Sequence, residues 1–178
     1  AGVLGAAIGM DKDIMKRLLK QGAIPTADFL VADRTSIIEY DFATIKEKLG
    51  LPLFVKPANL GSSVGFNKVS NSQELDAALT EAFQFDNKVI IEEFISGREI
   101  ECSVLGNEDP IASQPGEVLP KKEFYSYEAK YIADDGARLE VPADLSSKVV
   151  KEIQKQAIDT FNLLAGQGLA RVDFFIQS

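Results

Sequence analysis

The sequence places a lysine at the end of an apolar strand, directly before a loop of small residues. Lys56 follows the run LPLFV, and residues 61–65 read GSSVG. Side chains alternate along a strand, so Phe54 and Lys56 share a face, and a covered ammonium needs an anion. The loop offers close backbone approach, amide N–H donors and hydroxyls, which suit phosphate. It is not a Walker A loop. A hairpin turn beside a lysine whose stem covers apolar surface is the alternative interpretation.

The last strand of the chain pairs a cation with a carboxylate. Arg171, Asp173 and Phe175 fall on one face of the segment LARVDFFIQS, and the apolar side chains between them fall on the other. An arginine can bind a phosphate oxygen, and an aspartate can hold Mg²⁺, which takes oxygen ligands. An ordinary surface ion pair is the alternative, because one carboxylate alone is a weak metal site.

An acidic cluster surrounds an aromatic residue in the segment IIEEFISGRE. Glu92, Glu93 and Glu99 flank Phe94 and Ile95 at the end of an apolar strand. Such a strand end could hold a planar base, with carboxylates accepting hydrogen bonds from an amine and from ribose hydroxyls. A solvent-facing acidic surface is the alternative.

Residues 116–140 differ from the rest of the chain because they are polar, rich in aromatic residues and weakly periodic. A long irregular segment in a compact protein is often a functional loop or lid. Lys130 and Tyr131 lie within it, and a basic group on such a loop is suggestive of a role at a site.

Several classes of chemistry are excluded by composition. The chain has no histidine, so it contains neither a Ser-His-Asp triad nor a histidine-ligated metal. Its single cysteine, Cys102, falls on the apolar face of an alternating strand and is expected to be a buried small hydrophobe. A net charge of −8 makes the chain a poor general binder of nucleic acid. Its apolar runs are too short to span a membrane.

The periodicity predicts an α+β protein. Helical patterns cover residues 10–22, 40–50, 71–85 and 144–168, and strand patterns separate them. The strand-rich segment 88–115 lacks βαβ alternation, which argues against a Rossmann fold and favours sheets that are antiparallel in part.

Taken together, these segments resemble the D-alanine–D-alanine ligases of the ATP-grasp superfamily. The resemblance covers essentially the whole chain, and its motifs occur in the family's order and spacing: IGMDK, LPLFVKPANLGSSVG, VIIEEFISGREIECSVLG, GE, FYSYEAKY and ARVDFF. It implies an ATP-grasp fold of two α+β lobes with the nucleotide site between them. Residues 1–91 are expected to form the small lobe, and residues 92–178 an incomplete C-terminal lobe that includes the lid at about 116–140.

The resemblance also implies a reaction. ATP phosphorylates the carboxylate of one D-alanine, the amine of a second D-alanine attacks the acyl phosphate, and phosphate leaves. The dipeptide serves peptidoglycan synthesis in the bacterial cytoplasm. ATP and Mg²⁺ or Mn²⁺ are the implied cofactors, the full-length protein is expected to be a homodimer, and neither nucleic acid nor membrane is an expected partner.

The family's roles carry over to matching positions at the phosphates. Lys12 of GMDK and Lys56 of FVKP are expected to contact ATP phosphates, and Lys130 of EAKY to reach the transferring phosphoryl group from the lid. The Gly61–Ser63 loop is expected to lie against substrate and phosphate.

Further roles concern the nucleoside. Glu92 is expected to meet the adenine amine, the backbone of Glu93 and Ile95 the ring edge, Phe94 the adenine pocket, and Glu99 the ribose hydroxyls.

The remaining assignments concern catalysis. Arg171 is expected to stabilise charge that develops on the acyl phosphate or tetrahedral intermediate, and Asp173 to be one Mg²⁺ ligand. Ser62 is expected to form a hydrogen bond with Tyr131. The catalytic set is therefore Arg171, Ser62, Tyr131 and Lys130, and the lysines and Arg171 are expected to converge on one triphosphate.

The sequence departs from the family by stopping early. In the family, more chain follows RVDFF and supplies a glutamate and an asparagine to the metal sites, and an amino-terminal lobe supplies an acidic residue for the first D-alanine. This segment alone is therefore expected not to ligate D-alanine. Alternative hypotheses for the function are a D-alanine–D-lactate ligase, a nucleotide-binding module without catalysis, or an ATP-grasp ligase for another carboxylate. The lid sequence FYSYEAKY argues against the last.

Overall fold

The computed structural model describes residues 2–34, 41–120 and 137–177, which form an α+β structure. The helices are Val3–Met10 (α1), Lys12–Gln21 (α2), Phe42–Leu49 (α3), Ser72–Phe85 (α4) and Ser147–Leu163 (α5). The strands are Phe29–Asp33 (β1), Leu53–Pro57 (β2), Asn67–Val69 (β3), Lys88–Glu93 (β4), Arg98–Gly106 (β5), Ile111–Ala112 (β6), Gly116–Pro120 (β7), Ala137–Glu140 (β8) and Gly168–Ile176 (β9).

The chain divides into two compact units, each with its own core. One consists of Met10–Ile14 and Thr26–Ile95 and is called the 26–95 unit. The other consists of Ala1–Gly9, Met15–Pro25 and Ser96–Ser178 and is called the 96–178 unit. The predicted lobe boundary after residue 91 stays a prediction.

The 26–95 unit is built on an antiparallel sheet with the strand order β1-β4-β2-β3. In β2, Leu53, Val55 and Pro57 are buried, whereas Phe54 and Lys56 are half-buried on the opposite face, as the alternation predicts. Leu53 and Val55 belong to a core that also includes residues of α3 and α4. Packing on one face of β2 therefore directs Lys56 to the other face.

The helices of the 26–95 unit begin at side-chain caps. The Asp41 carboxylate accepts a hydrogen bond from the Thr44 amide at 2.8 Å, and Asn71 accepts one from the Glu74 amide at 3.0 Å. These caps satisfy amides that have no partner within the first turn of a helix. The caps explain why α3 and α4 begin where polar residues precede apolar periodicity.

In the 96–178 unit, an antiparallel sheet packs against α5. Strand β5 pairs with β6, β7 and β9, and β7 pairs with β8. Ile153, Ala157 and Phe161 of α5 are buried against Ile100 and Cys102 of β5. The prediction that Cys102 is a buried hydrophobe is confirmed, and burial raises the pKa of its thiol.

Two segments differ from the sequence-based expectation. Residues 3–10 form a helix that was not predicted, because VLGAAIGM has no polar face, and none of its residues is buried. The segment 116–140, expected to be irregular, has strands at both ends, where Val118 of β7 lies opposite Leu139 of β8. The intervening residues 121–136, with Lys130 and Tyr131, lie outside the described residues.

Membrane-spanning helices were sought in the part of the chain that the structure describes. There, no helix combines the length and the apolar character needed to cross a bilayer.

Candidate functional site

Lys56 and Glu92 form an ion pair on the face of the sheet opposite the core of the 26–95 unit. Phe54 and Glu92 are direct partners in the β2–β4 register. The Lys56 Nζ lies 2.6 Å from Glu92 Oε2, and the two side chains are 18% and 12% exposed. The anionic partner expected for a covered strand-end lysine is therefore a glutamate of the neighbouring strand.

Lys12 approaches the same region from the first turn of α2. Its backbone amide donates to the carbonyl of Ala58 at 3.0 Å. Its ammonium donates to the same carbonyl at 3.3 Å and also to the carbonyl of Leu60. These carbonyls lie between β2 and the loop at residues 61–65, so they anchor Lys12 beside that loop.

The ring of Phe66 brings the two lysines together. The Nζ atoms of Lys12 and Lys56 lie 5.5 and 5.2 Å from its centroid. A cation at this distance from an aromatic ring is attracted by the electrons of the ring face. The ring thus offsets part of the repulsion between the two ammonium groups.

The charge state of Lys12 depends on this environment. Burial, followed by the neighbouring charge of Lys56, lowers the pKa of Lys12 to about 8, although the carboxylates of Glu92, Asp86 and Asp11 oppose the shift. Where an ammonium group is poorly solvated and close to a second cation, an incoming anion favours its charged form. The environment of Lys12 is therefore suited to a phosphate group.

The loop between β2 and β3 contains consecutive left-handed residues. Ser62 and Ser63 have φ values of 54° and 59°, and Gly65 has a φ of 68°. The amide of Val64 donates to the Gly61 carbonyl at 3.2 Å. A Cβ atom added at Gly61 would meet nothing within 4 Å, so open space adjoins the backbone there. Left-handed backbone is uncommon in residues other than glycine, and it often marks a functional turn.

An aromatic surface continues from the Lys56–Glu92 pair. The rings of Phe54 and Phe94 are 5.9 Å apart with their planes inclined by 49°. The Lys68 Nζ lies 4.7 Å from the centroid of Phe94. A flat apolar surface beside hydrogen-bonding carboxylates can hold a planar base.

One expected backbone contact is restricted by the structure. The amide of Glu93 donates to the carbonyl of Asp28 at 3.0 Å, and the Glu93 carboxylate accepts from the Asp28 amide at 2.7 Å. A contact of the Glu93 backbone with the edge of a base must therefore use its carbonyl.

Arg171 and Asp173 lie in the 96–178 unit on the exposed face of β9, as the alternation predicts. Arg171 donates through Nε to Asp173 Oδ1 at 2.7 Å and through Nη2 to Asp173 Oδ2 at 2.9 Å. Its Nη1 also lies 3.2 Å from Glu101 Oε1 on the adjacent strand β5. The arginine is therefore bound by two carboxylates, of which the sequence predicted only one.

These residues alone do not complete a magnesium site. Asp173 and Glu101 are register partners on β9 and β5, but Arg171 binds both carboxylates. In the described ranges, no group of three or more His, Cys, Asp or Glu side chains is arranged to hold a metal ion.

The structure thus brings together some of the predicted site residues. The 26–95 unit contains the Gly61–Ser63 loop and six of the predicted residues: Lys12, Lys56, Glu92, Glu93, Phe94 and Ile95. Glu99, Arg171 and Asp173 lie in the 96–178 unit, so the expected convergence of Arg171 with the lysines stays a prediction. Lys130 and Tyr131 lie outside the described residues.

Besides Glu101, four contributing residues were not predicted from the sequence. Phe66 contacts both lysines, and Lys88 lies 2.6 Å from Asp11 Oδ2 and 3.2 Å from Asp13 Oδ2. Asp11 and Asp13 flank Lys12 in the sequence, which is a local signal that could have drawn attention to them. Lys88 offered no such signal, because 77 positions separate it from Asp11.

Solved structures share this fold. The structure of the D-alanine–D-alanine ligase from Coxiella burnetii is 38% identical with a TM-score of 0.85, covering 98% of this chain and 45% of that chain. The VanG D-Ala:D-Ser ligase from Enterococcus faecalis is 35% identical with a TM-score of 0.85, covering 97% and 50%. The fold and site therefore define a protein of the ATP-grasp class.

Sequence comparisons are more specific. Residues 18–178 match the family described as "D-ala D-ala ligase C-terminus". The chain is 54% identical to the D-alanine–D-alanine ligase of Oceanobacillus iheyensis and 51% identical to D-alanine–D-alanine ligase A of Chromobacterium violaceum. In both cases 99% of this chain and 48% of the relative are covered. The chain belongs to the D-alanine–D-alanine ligase family, and it spans about half the length of the curated relatives it matches.

Proposed function

We propose that the full-length protein containing this chain joins two D-alanine molecules into D-alanyl-D-alanine at the expense of ATP. The observation that carries the proposal is the pairing of Lys12 and Lys56 on Phe66 beside a left-handed serine loop, in a chain of this family. The product would serve peptidoglycan synthesis in the bacterial cytoplasm, and a homodimer is the proposed assembly.

The lysines and the loop would bind the phosphates. Lys12 and Lys56 supply cations, and the Gly61–Ser63 loop supplies amides beside open space. Transfer of a phosphoryl group requires mainly positioning and neutralisation of charge, so this task needs no histidine. The residues present therefore fit the phosphates of a nucleoside triphosphate.

The end of β4 would bind the nucleoside. Glu92 would accept from the adenine amine, the backbone of Glu93 and Ile95 would meet the ring edge, and Phe94 would line the base. Glu99 would take the ribose hydroxyls. The support is that Glu92 and Phe94 adjoin the Lys56 side chain and the Phe54 ring.

The remaining roles follow from the family. Arg171 would stabilise charge developing on the acyl phosphate or tetrahedral intermediate, and the two hydrogen bonds that it donates to Asp173 would orient it. Asp173 would be one ligand of Mg²⁺ or Mn²⁺, with the other ligands outside this chain. Lys130 would reach the transferring phosphoryl group, and Ser62 would form a hydrogen bond with Tyr131.

Phosphate release by the full-length protein tests the proposal. With ATP, Mg²⁺ and D-alanine, we expect equimolar phosphate and D-alanyl-D-alanine, identified by mass spectrometry. Parallel reactions replace the second substrate with D-serine or D-lactate, since one structural neighbour is a D-Ala:D-Ser ligase and a D-lactate ligase is an alternative from the sequence. A depsipeptide as the main product would reassign the substrate, and ATP binding without any turnover would favour a binding module.

Replacement of Lys130 tests the catalytic assignment in the same assay. In the full-length protein, Lys130→Ala is expected to lower kcat by ~10²–10³, the scale for loss of one charge-stabilising group. A near-normal rate would remove Lys130 from the mechanism.

A further inference from the structure

A turn at the start of β4 holds both chain segments that surround Lys12. The 86–88 turn consists of Asp86, Asn87 and Lys88. Asp86 Oδ2 accepts from the backbone amide and side-chain amide of Asn59 at 2.8 and 2.9 Å. The Lys88 carbonyl accepts from the Ala58 amide at 2.9 Å. The turn therefore fixes the backbone that carries the carbonyl acceptor of Lys12.

The side chain of Lys88 holds the helix that carries Lys12. Its Nζ is 2.6 Å from Asp11 Oδ2 and 3.2 Å from Asp13 Oδ2, and Asp13 is 4% exposed. Asp11 Oδ1 in turn accepts from the amides of Asp13 and Ile14 at 3.0 and 3.2 Å. Lys88 is thus bound to the cap that begins α2.

The ion pairs of Lys88 also determine which anions surround Lys12. Asp11 and Asp13 are the sequence neighbours of Lys12, and Lys88 forms ion pairs with both carboxylates. Burial is the largest influence on Asp11 and raises its pKa, but the hydrogen bond and charge of Lys88, together with the backbone hydrogen bonds from Ile14 and Asp13, outweigh it and lower that pKa. Without Lys88, these carboxylates would compete with phosphate for the Lys12 ammonium.

We propose that Lys88 is a positioning residue for nucleotide binding: it fixes the first turn of α2 and keeps Asp11 and Asp13 from pairing with Lys12. The inference rests on the proposed function, because it assumes that Lys12 binds a nucleotide phosphate. The ammonium of Lys88 pairs with Asp11 and Asp13, so its proposed effect on the nucleotide passes through Lys12.

The test is ATP affinity of the full-length protein, measured by calorimetry with Mg²⁺. Lys88→Met is expected to raise the Kd for ATP about tenfold at pH 7, the scale of one charge-assisted contact. Lys88→Arg, which keeps the charge, should stay within about threefold of the wild type. Lys155→Met is the matched control, because it removes a lysine that pairs with Asp159 on the exposed face of α5.

A double-mutant cycle separates positioning from general stability. In a Lys12→Met background, Lys88→Met should change the Kd for ATP less than about twofold, because its route of action is gone. The midpoint of the pH dependence of ATP binding should also move upward in Lys88→Met, since uncompensated Asp11 and Asp13 would raise the pKa of Lys12. Glu92, Asp86 and Lys56 also face Lys12 and are unchanged in this comparison.

The outcomes are distinguishable. If the wild-type protein binds no ATP, the proposed function fails. If the wild type binds ATP but Lys88→Met has the same Kd, or has an equal effect with and without Lys12, the inference alone is overturned. Should Lys88→Met not fold, Lys88→Gln, which keeps a hydrogen-bond donor without charge, is expected to raise the Kd about threefold. No change in that variant would also overturn the inference.

Discussion

At the residue scale, the chemistry depends on the groups that surround the ammonium of Lys12 and set its pKa. Two backbone carbonyls and the Phe66 ring solvate it, but burial and Lys56 lower its pKa to about 8. A lysine in this state is partly deprotonated just above neutral pH, whereas an arginine is not. This difference gives the phosphate assignment a direct signature in pH.

Binding of ATP is therefore expected to weaken as the pH rises through about 8. Only the charged form of Lys12 attracts phosphate, so the Kd should rise up to about tenfold between pH 8 and pH 9. In Lys12→Arg the charge persists, and the Kd should stay nearly constant over that range. Calorimetric titrations at pH 7, 8 and 9 measure both variants, and equal pH dependence in the two would refute the role of Lys12.

Some of these residues were predictable and others were not. Lys56 and the 61–65 loop stood out because strand alternation and small residues are local signals. Glu92 was chosen for a base contact, but its ion pair with Lys56 arises from the β2–β4 register, which only the folded sheet defines. Lys88, Glu101 and Phe66 were missed for the same reason, since their contacts join distant segments.

At the element scale, the loop between β2 and β3 is specified by backbone conformation and close packing. Gly65 has a φ of 68°, and a Cβ atom there would lie 2.9 Å from Phe85 Cδ2 and 3.0 Å from Pro57 Cγ. Both the dihedral angle and the lack of space therefore require glycine.

Gly65→Ala is expected to lower the free energy of unfolding by about 1–3 kcal/mol, because it adds a strained dihedral angle and a close contact. Gly61→Ala is the control for stability, since open space surrounds that position. Urea denaturation of the two variants measures the difference. Equal stability would show that the loop relaxes without cost.

Elements with strong local periodicity were predicted well. The patterns for α2, α4 and α5 and the alternation of β9 are confirmed. Helices α4 and α5 each bury one regular face, and β9 alternates between half-buried and exposed residues. Helix α1 was missed because its sequence is apolar on all sides, and β7 and β8 because their pairing, rather than their composition, makes them strands.

At the scale of the whole molecule, the chain contains two α+β units, each built around a separate core. It spans about half the length of the curated relatives it matches. The described residues place Asp173 beside Glu101 but do not assemble a metal site. Catalysis is therefore proposed for the full-length protein.

The 178-residue chain alone is expected to show no D-alanine-dependent release of phosphate, although it carries Lys12 and Lys56. The reason is that phosphoryl transfer requires a bound metal ion, and Asp173, the one metal ligand proposed in this chain, is a weak metal site by itself. The same assay on the chain and on the full-length protein makes the comparison. Robust turnover by the chain would contradict the prediction.

The central claim is that Lys12 binds the phosphates of a nucleotide whose base lies elsewhere in the same site. The most direct measurement compares the Kd values of ATP and adenosine for the full-length wild type and Lys12→Met. We expect Lys12→Met to weaken ATP at least tenfold, the scale of a charged hydrogen bond, while adenosine stays within about twofold. Unchanged ATP affinity, or an equal loss for ATP and adenosine, would contradict the claim.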